Sequence, residues 1–214
     1  MVQPLAYAQI REMFRRLHAL DPEPKGELEH LNAYTLLVAV ALSAQATDKG
    51  VNRATRALFA EADTPQKMLD LGEARLIEHI RTIGLFRNKA KNVMRLSAIL
   101  AADYGGEVPC SRAALASLPG VGRKTANVVL NMWWRQPTMA VDTHVFRVAN
   151  RTGLAPGRDV LAVERALEDA VPADYALHAH HWLILHGRYT CTARKPACAR
   201  CAIADICSFE EKTA

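Results

Sequence analysis

Leu118-Pro-Gly-Val-Gly-Arg-Lys-Thr-Ala126 is the stretch from which the rest of the chain can be read. It joins two helical patterns, Arg112–Ser117 and Arg123–Trp134, by a turn too short to hold anything but backbone. Gly120 and Gly122 permit positive φ and close approach of another backbone. The second helix would start near Arg123, with free N–H groups and the positive end of its dipole turned outward, an arrangement that suits a phosphate. Such a grip reads no base and is independent of sequence. A plain tight turn between packed helices is the simpler alternative. The basic residues after the glycines favour contact with nucleic acid, through Gly120, Val121, Gly122 and Arg123.

Lys124 falls in the first turn of that second helix, where the dipole disfavours a cation. Partial burial would add to the penalty and push its pKa down, raising the fraction of neutral, nucleophilic amine. The alternative is a surface lysine that binds phosphate. Further on, Asp142 precedes Thr-His-Val-Phe-Arg-Val and reads as a helix N-cap. A capped carboxylate is held in place, so the same residue can steady an oxocarbenium-like sugar and shuttle protons.

The C-terminal part carries Cys191, Cys198, Cys201 and Cys207, spaced C-x6-C-x2-C-x5-C, while Cys110 stands apart. Four cysteines crowded into so short a stretch, with no secretion signal, point to reduced thiols around a metal centre instead of disulfides. The spacing suits a [4Fe–4S] cluster. A structural zinc site is the alternative, although it usually has two Cys-x2-Cys knuckles and only one such pair is present. His178, His180, His181 and His186 offer no i, i+4 ligand pair among the first three and read as packing residues beside Trp182.

Outward from these motifs the chain reads as all-α. Apolar residues recur at helical spacing and alternating strand patterns are absent. Pro22, Pro24, Gly84 and Gly105-Gly106 supply the stops. Candidate helices are Leu5–Leu20, Ala33–Gln45, Lys49–Phe59, Thr64–Leu71, Glu73–Thr82, Asn88–Tyr104, Arg112–Ser117, Arg123–Trp134, Thr143–Thr152, Val160–Ala170 and Tyr175–Tyr189. Two Pro-bearing seams, Asp21–Gly26 and Arg135–Ala140, suggest a central helical domain over 26–136 and a discontinuous second domain, 1–25 with 137–214. Half of the 214 residues are hydrophobic, enough for a sizeable core. Lys and Arg outnumber Asp and Glu by 27 to 22, a mild excess that permits a polyanionic partner. The longest uncharged stretch, Leu31–Thr47, carries Asn32, Thr35, Ser43 and Gln45 and reads as a buried helix, so no membrane span is expected. With Arg11, Glu12, Arg15 and Arg16 breaking the first helix, no signal segment forms, and a cytoplasmic protein working at the bacterial nucleoid is the expectation.

Taken together, LPGVGRKTA at Leu118–Ala126, VDTHVFRV at Val141–Val148, LSAQATD at Leu42–Asp48 and the four-cysteine tail resemble the endonuclease III family of helix-hairpin-helix DNA glycosylases. The resemblance runs from about residue 5 to about residue 208. It implies base-excision repair by an enzyme that is both glycosylase and abasic-site lyase. It implies a [4Fe–4S] cluster on the four cysteines and two helical domains flanking a DNA-binding cleft. Lys124 would attack C1′ and form a Schiff base, and Asp142 would assist. Gln45 would fill the gap left by a flipped nucleotide, and Leu85 would wedge the opposite strand. Arg194 and Lys195 would contact phosphate. The implied partner is double-stranded DNA with damaged pyrimidines or abasic sites, bound by a monomer. Adenine and mismatch glycosylases of related fold usually lack a lysine at the position of Lys124. Two departures from the family pattern are Phe86, where a tyrosine is common, and the bulky Trp133-Trp134.

Overall fold

The computed structural model describes residues 3–213. Among them are ten α-helices, two short 3-10 turns and no strand. No helix is long and apolar enough to cross a membrane. The chain divides into two compact units, Glu27–Arg135 and Met1–Gly26 with Gln136–Ala214.

The first unit is built around α2 (Ala33–Leu42), whose sequence AYTLLVAVAL is apolar on every side and buried from Tyr34 to Leu42. A helix apolar all round must be enclosed, and α3 (Asp48–Glu61), α5 (Phe86–Asp103) and α7 (Arg123–Trp134) pack on it. Its start is fixed by Asn32, whose Oδ1 accepts from Thr35 N at 2.9 Å while Thr35 Oγ1 accepts from Asn32 N at 2.9 Å. A buried hydrogen bond of 2.6 Å between Tyr34 Oη and Ser97 Oγ ties α2 to α5. Thr47, Thr64 and Ser111 cap α3, α4 (Pro65–Ile80) and α6 (Arg112–Ser117) by their hydroxyls.

Most helix bounds follow the sequence pattern, and the deviations have local causes. α2 stops at Leu42, not at Gln45, because Gln45 takes φ 56°, outside the helical region. The two expected helices either side of Gly72 run together as α4, yet Gly72 itself has φ 80° and ψ 159°, so the break is real. The first helix, α1 (Tyr7–Leu20), begins two residues late, after the extended Ala6. It ends before Asp21, which the following Pro22 forces into extended backbone.

The second unit has its own core. α1 buries Ile10, Met13, Phe14 and Leu17 among residues of α8 (Thr143–Thr152), α9 (Val160–Ala170) and α10 (Ala176–Tyr189). The rings of Phe14, Tyr175 and Trp182 lie 6.0–6.2 Å apart, and Trp182 Nε1 donates to Asp21 O at 2.7 Å. Gly187 lets α8 and α10 touch, since a Cβ there would stand 2.8 Å from His144 Cβ.

His178 packs its ring 5.7 Å from Trp182, and His180 sits 5.2 Å from His181. His181 is buried, its Nδ1 has no hydrogen-bond partner among the described residues, and burial lowers its pKa to about 4. A native pKa below the unfolded value near ~6.5 means that the folded state favours the neutral ring. Its contribution is complete above ~6.5 and is lost as pH falls towards 4. The melting temperature should therefore drop across that window, and His181→Asn should flatten the drop. An identical pH profile for the variant would contradict this.

Candidate functional site

The hairpin lies in the unit Glu27–Arg135. α6 ends at Ser117, Leu118 to Gly122 make the turn, and α7 begins at Arg123. Gly120 has φ 77°, and a Cβ there would meet Asn92 of α5 at 2.9 Å, so glycine is required both by conformation and by contact. Gly122 differs from the expectation. Its φ is −92°, and a Cβ would meet nothing within 4 Å, so it serves as an extended N-cap and not as a left-handed turn residue. Glycine has no side chain to cap α7, and the first-turn N–H groups keep no side-chain acceptor at the cap position. Val121 is buried and its N–H bonds Leu118 O at 3.0 Å, so it shapes the turn from inside.

Lys124 is the second residue of α7 and its side chain is exposed. The partial burial expected from sequence is absent, because the first turn of α7 projects from the unit and apolar packing starts only at Ala126. What distinguishes Lys124 is its station at an uncapped helix start beside the glycine turn.

Gln45 and Leu85 share a feature that sequence could not supply. Both are exposed and both have positive φ, 56° and 60°. A left-handed conformation costs a non-glycine residue about 1–2 kcal/mol, and such strain collects at functional positions. Leu85 is 61% exposed and stands at the N-cap of α5 with no side-chain bond, an apolar residue held out in water. Phe86 beside it carries the Arg87 guanidinium over its ring, 5.3 Å from the centroid. Trp133 is partly exposed and meets the His30 ring edge-on at 6.3 Å.

In the other unit Asp142 is the N-cap of α8. Its Oδ1 accepts from His144 N and Val145 N, both at 2.8 Å. Oδ2 accepts no bond among the described residues, so one oxygen fixes the carboxylate and the other remains available.

The same helix carries two arginines that sequence reading passed over. Arg147 donates to Gly187 O at 2.8 Å and Cys191 O at 3.0 Å. One turn on, Arg151 donates to Thr192 O at 2.7 Å and Ala193 O at 2.8 Å, approaches Cys191 Sγ at 3.8 Å and stacks over Phe209 at 4.9 Å. The only available signal was an Arg pair at i, i+4 just after Asp142. These bonds hold the loop on which Arg194 and Lys195 stand exposed, with Arg200 exposed beside them.

Cys191, Cys198, Cys201 and Cys207 line one cavity, open on one side, whose other walls include Pro196, Ile203 and Phe209. Phe209 N donates to Cys207 Sγ at 3.5 Å, and His186 Nε2 lies 3.7 Å from Cys201 Sγ. Among the described residues no group of three His, Cys, Asp or Glu closes around a single metal ion. Four thiols lining one cavity, with no group of three placed on a single ion, fit a cluster, whose body is larger than one ion. N–H groups aimed at the sulfurs are the outer contacts that such a group uses. Burial pushes the Cys201 and Cys207 thiols up, so loading competes with protons.

Residues 38–173 match the HhH-GPD superfamily of base excision DNA repair proteins, and residues 191–207 match the iron-sulfur binding domain of endonuclease III. Endonuclease III of Treponema pallidum is 58% identical over 198 residues, 92% of this chain and 94% of that protein. Endonuclease III of Escherichia coli strain K12 is 54% identical over 201 residues, 94% and 95% of the two chains. Among solved structures, a trapped endonuclease III–DNA covalent intermediate superposes with TM-score 0.88 at 43% identity, over 95% of this chain and 96% of that one. A thermostable thymine-DNA glycosylase at 24% identity and TM-score 0.86 shares the fold.

Protein purified without chelators should hold about four irons per chain. Arg151→Met removes the loop clamp and leaves the ligands, so it should surrender iron to a chelator faster than the parent. One zinc in place of iron, or unaltered iron retention in Arg151→Met, would contradict this account.

Proposed function

The chain belongs to the endonuclease III family of helix-hairpin-helix base-excision repair proteins, and from that premise we propose that Lys124 and Asp142 carry its chemistry. It is a bifunctional DNA glycosylase and abasic-site lyase acting on damaged pyrimidines, with a [4Fe–4S] cluster on its four C-terminal cysteines. The observation that carries the residue assignment is the station of Lys124, an exposed amine at an uncapped helix start directly after the glycine turn. Phosphate held by the first N–H groups of α7 brings the adjoining sugar to that amine.

The neutral Lys124 amine attacks C1′ and the glycosidic bond breaks, its electron pair leaving with the base. The amine gives up a proton, which goes to the departing base, and the C1′–O4′ bond breaks with O4′ taking a proton, leaving a protonated Schiff base between C1′ and Nζ. Loss of a C2′ proton then drives β-elimination, which breaks the bond to the 3′ phosphate. Water hydrolyses the Schiff base and frees the lysine. Asp142, anchored through Oδ1, uses Oδ2 to steady positive charge on the sugar and to take and return protons.

Gln45 and Leu85 enter the duplex from their strained turns when the damaged nucleotide leaves the stack. Arg194 and Lys195 contact phosphate from the cysteine loop. The cluster, when bound, braces that loop from inside, and the chain's own Arg147 and Arg151 anchor it to α8. The DNA taken is duplex carrying damaged pyrimidines or abasic sites, and the protein acts as a monomer in the bacterial cytoplasm.

Lys124→Gln should bind an abasic-site duplex yet release no base and cut no strand. Asp142→Asn retains an Oδ1 that can cap α8, so it should fold and bind while base release falls by about 10²–10⁴-fold. Single-turnover assays that score base release and strand cleavage separately decide the matter. Parental rates in either variant would remove that residue from the chemistry.

A further inference from the structure

Helix α5 is charged against its own interest. Arg87, Lys91 and Arg95 repeat at i, i+4 and i+8 and are all exposed, which makes a single stripe of positive charge along one face. Like charges four apart repel. Arg87 also stands in the first turn, where the dipole disfavours a cation and no acidic residue offsets it. The helix holds one carboxylate, Asp103, at its far end.

Three other surface arginines and lysines of this unit are matched by carboxylates. Arg56 pairs with Glu29, Lys67 with Asp63, and Arg75 with both Glu61 and Glu78. Among the described residues Arg87, Lys91 and Arg95 have no such partner. The fourth cation of α5, Lys89, is turned inward with its amine buried.

The stripe has a defined place. It starts two residues after the protruding Leu85. Lys91 and Arg95 line a shallow concavity with Asn88, Asn92 and Met94, and Glu73 of α4 is the carboxylate on its wall. Asn92 is the residue packed against Gly120, so the concavity adjoins the hairpin turn within the same unit. Two cations and two amides facing one concave surface match phosphate oxygens better than they match a protein or an apolar ligand.

We propose that Arg87, Lys91 and Arg95 form a second phosphate-binding track, which grips the sugar–phosphate backbone of substrate DNA beyond the hairpin contact. The track rests on the DNA-repair reading above and extends the footprint along α5. Guanidinium and ammonium groups on an exposed helix face bind without base preference, so the gain falls equally on all sequences. Repulsion within the stripe is relieved when DNA supplies the missing negative charge.

The test measures binding of duplex containing a stable abasic-site analogue across a potassium chloride series. Each neutralised phosphate contributes a slope of about −0.9 to the plot of log affinity against log salt. Arg87→Gln/Lys91→Gln/Arg95→Gln should therefore flatten the slope by about 2–3. It should melt no lower than the parent, because a repulsion has been removed. Arg87→Lys/Arg95→Lys keeps the charges and should keep the slope. Independently of any variant, methylphosphonate substitution scanned along the duplex should flatten the parental slope at positions where it leaves the Gln variant unaffected. A parental slope in the triple variant, or no such positions in the scan, overturns the track. Arg194→Gln/Lys195→Gln serves as reference. If that pair flattens the slope and the α5 variant does not, the track alone is wrong. If the parental protein has no salt-dependent binding at all, the DNA reading fails with it.

Discussion

The hydrogen bonds from Arg147 and Arg151 to the carbonyls of Gly187, Cys191, Thr192 and Ala193 tie the start of the segment after Tyr189 to α8. Among the described residues beyond Tyr189 the chain forms one 3-10 turn and otherwise turns and irregular backbone, with Pro196 and Ile203 buried. A segment that buries so little cannot offset by hydrophobic contact the entropy of ordering it. Charged donors onto backbone carbonyls, and thiolates gathered on a cluster, do so instead. Both arginines stand on α8, whose first turn is fixed by the Asp142 carboxylate. One rigid helix thus sets the position of the acid at one end and of the cysteine loop at the other.

The other unit works by a different economy of contacts. Its interior is conventional, an apolar α2 wrapped by amphipathic helices. What it offers outward is unusual: glycine backbone at the hairpin, an uncapped helix start, and three non-glycine residues, Gln45, Leu85 and Arg135, in left-handed backbone. None of these stabilises the free protein. The strain at Gln45 and Leu85 is of order 1–2 kcal/mol each. It is tolerable because α2 and α5, which border those turns, are bound to the core by Tyr34 and Ser97 and by buried residues along their length. On the proposed reading, side chains held out in strained turns are placed to enter a gap, which lowers the ordering cost when a nucleotide is extruded.

The legible part of this molecule was the part written in local chemistry. Helix bounds at Arg112–Ser117, Arg123–Trp134, Thr143–Thr152 and Val160–Ala170 follow from cap residues and helical spacing alone. The cysteine spacing was a sufficient guide to one shared cavity. Three features escaped for physical reasons. A positive φ at Gln45 or Leu85 is imposed by neighbouring elements and leaves no mark on residue type. Gly122 was misread because glycine is equally at home in extended backbone. Arg147 and Arg151 bind carbonyls some forty residues away, and a carbonyl belongs to every residue, so no pattern announces the pairing. The exposure of Lys124 likewise depends on how far the hairpin projects, which composition does not encode.

The central claim is that the amine at the start of α7 attacks the sugar. The most direct measurement is to reduce the enzyme–abasic DNA adduct with borohydride, digest the protein, and locate the added mass by peptide sequencing in a mass spectrometer. The account predicts one modified site, Lys124. Adduct on any other amine, whether another lysine or the chain's amino terminus, would contradict it.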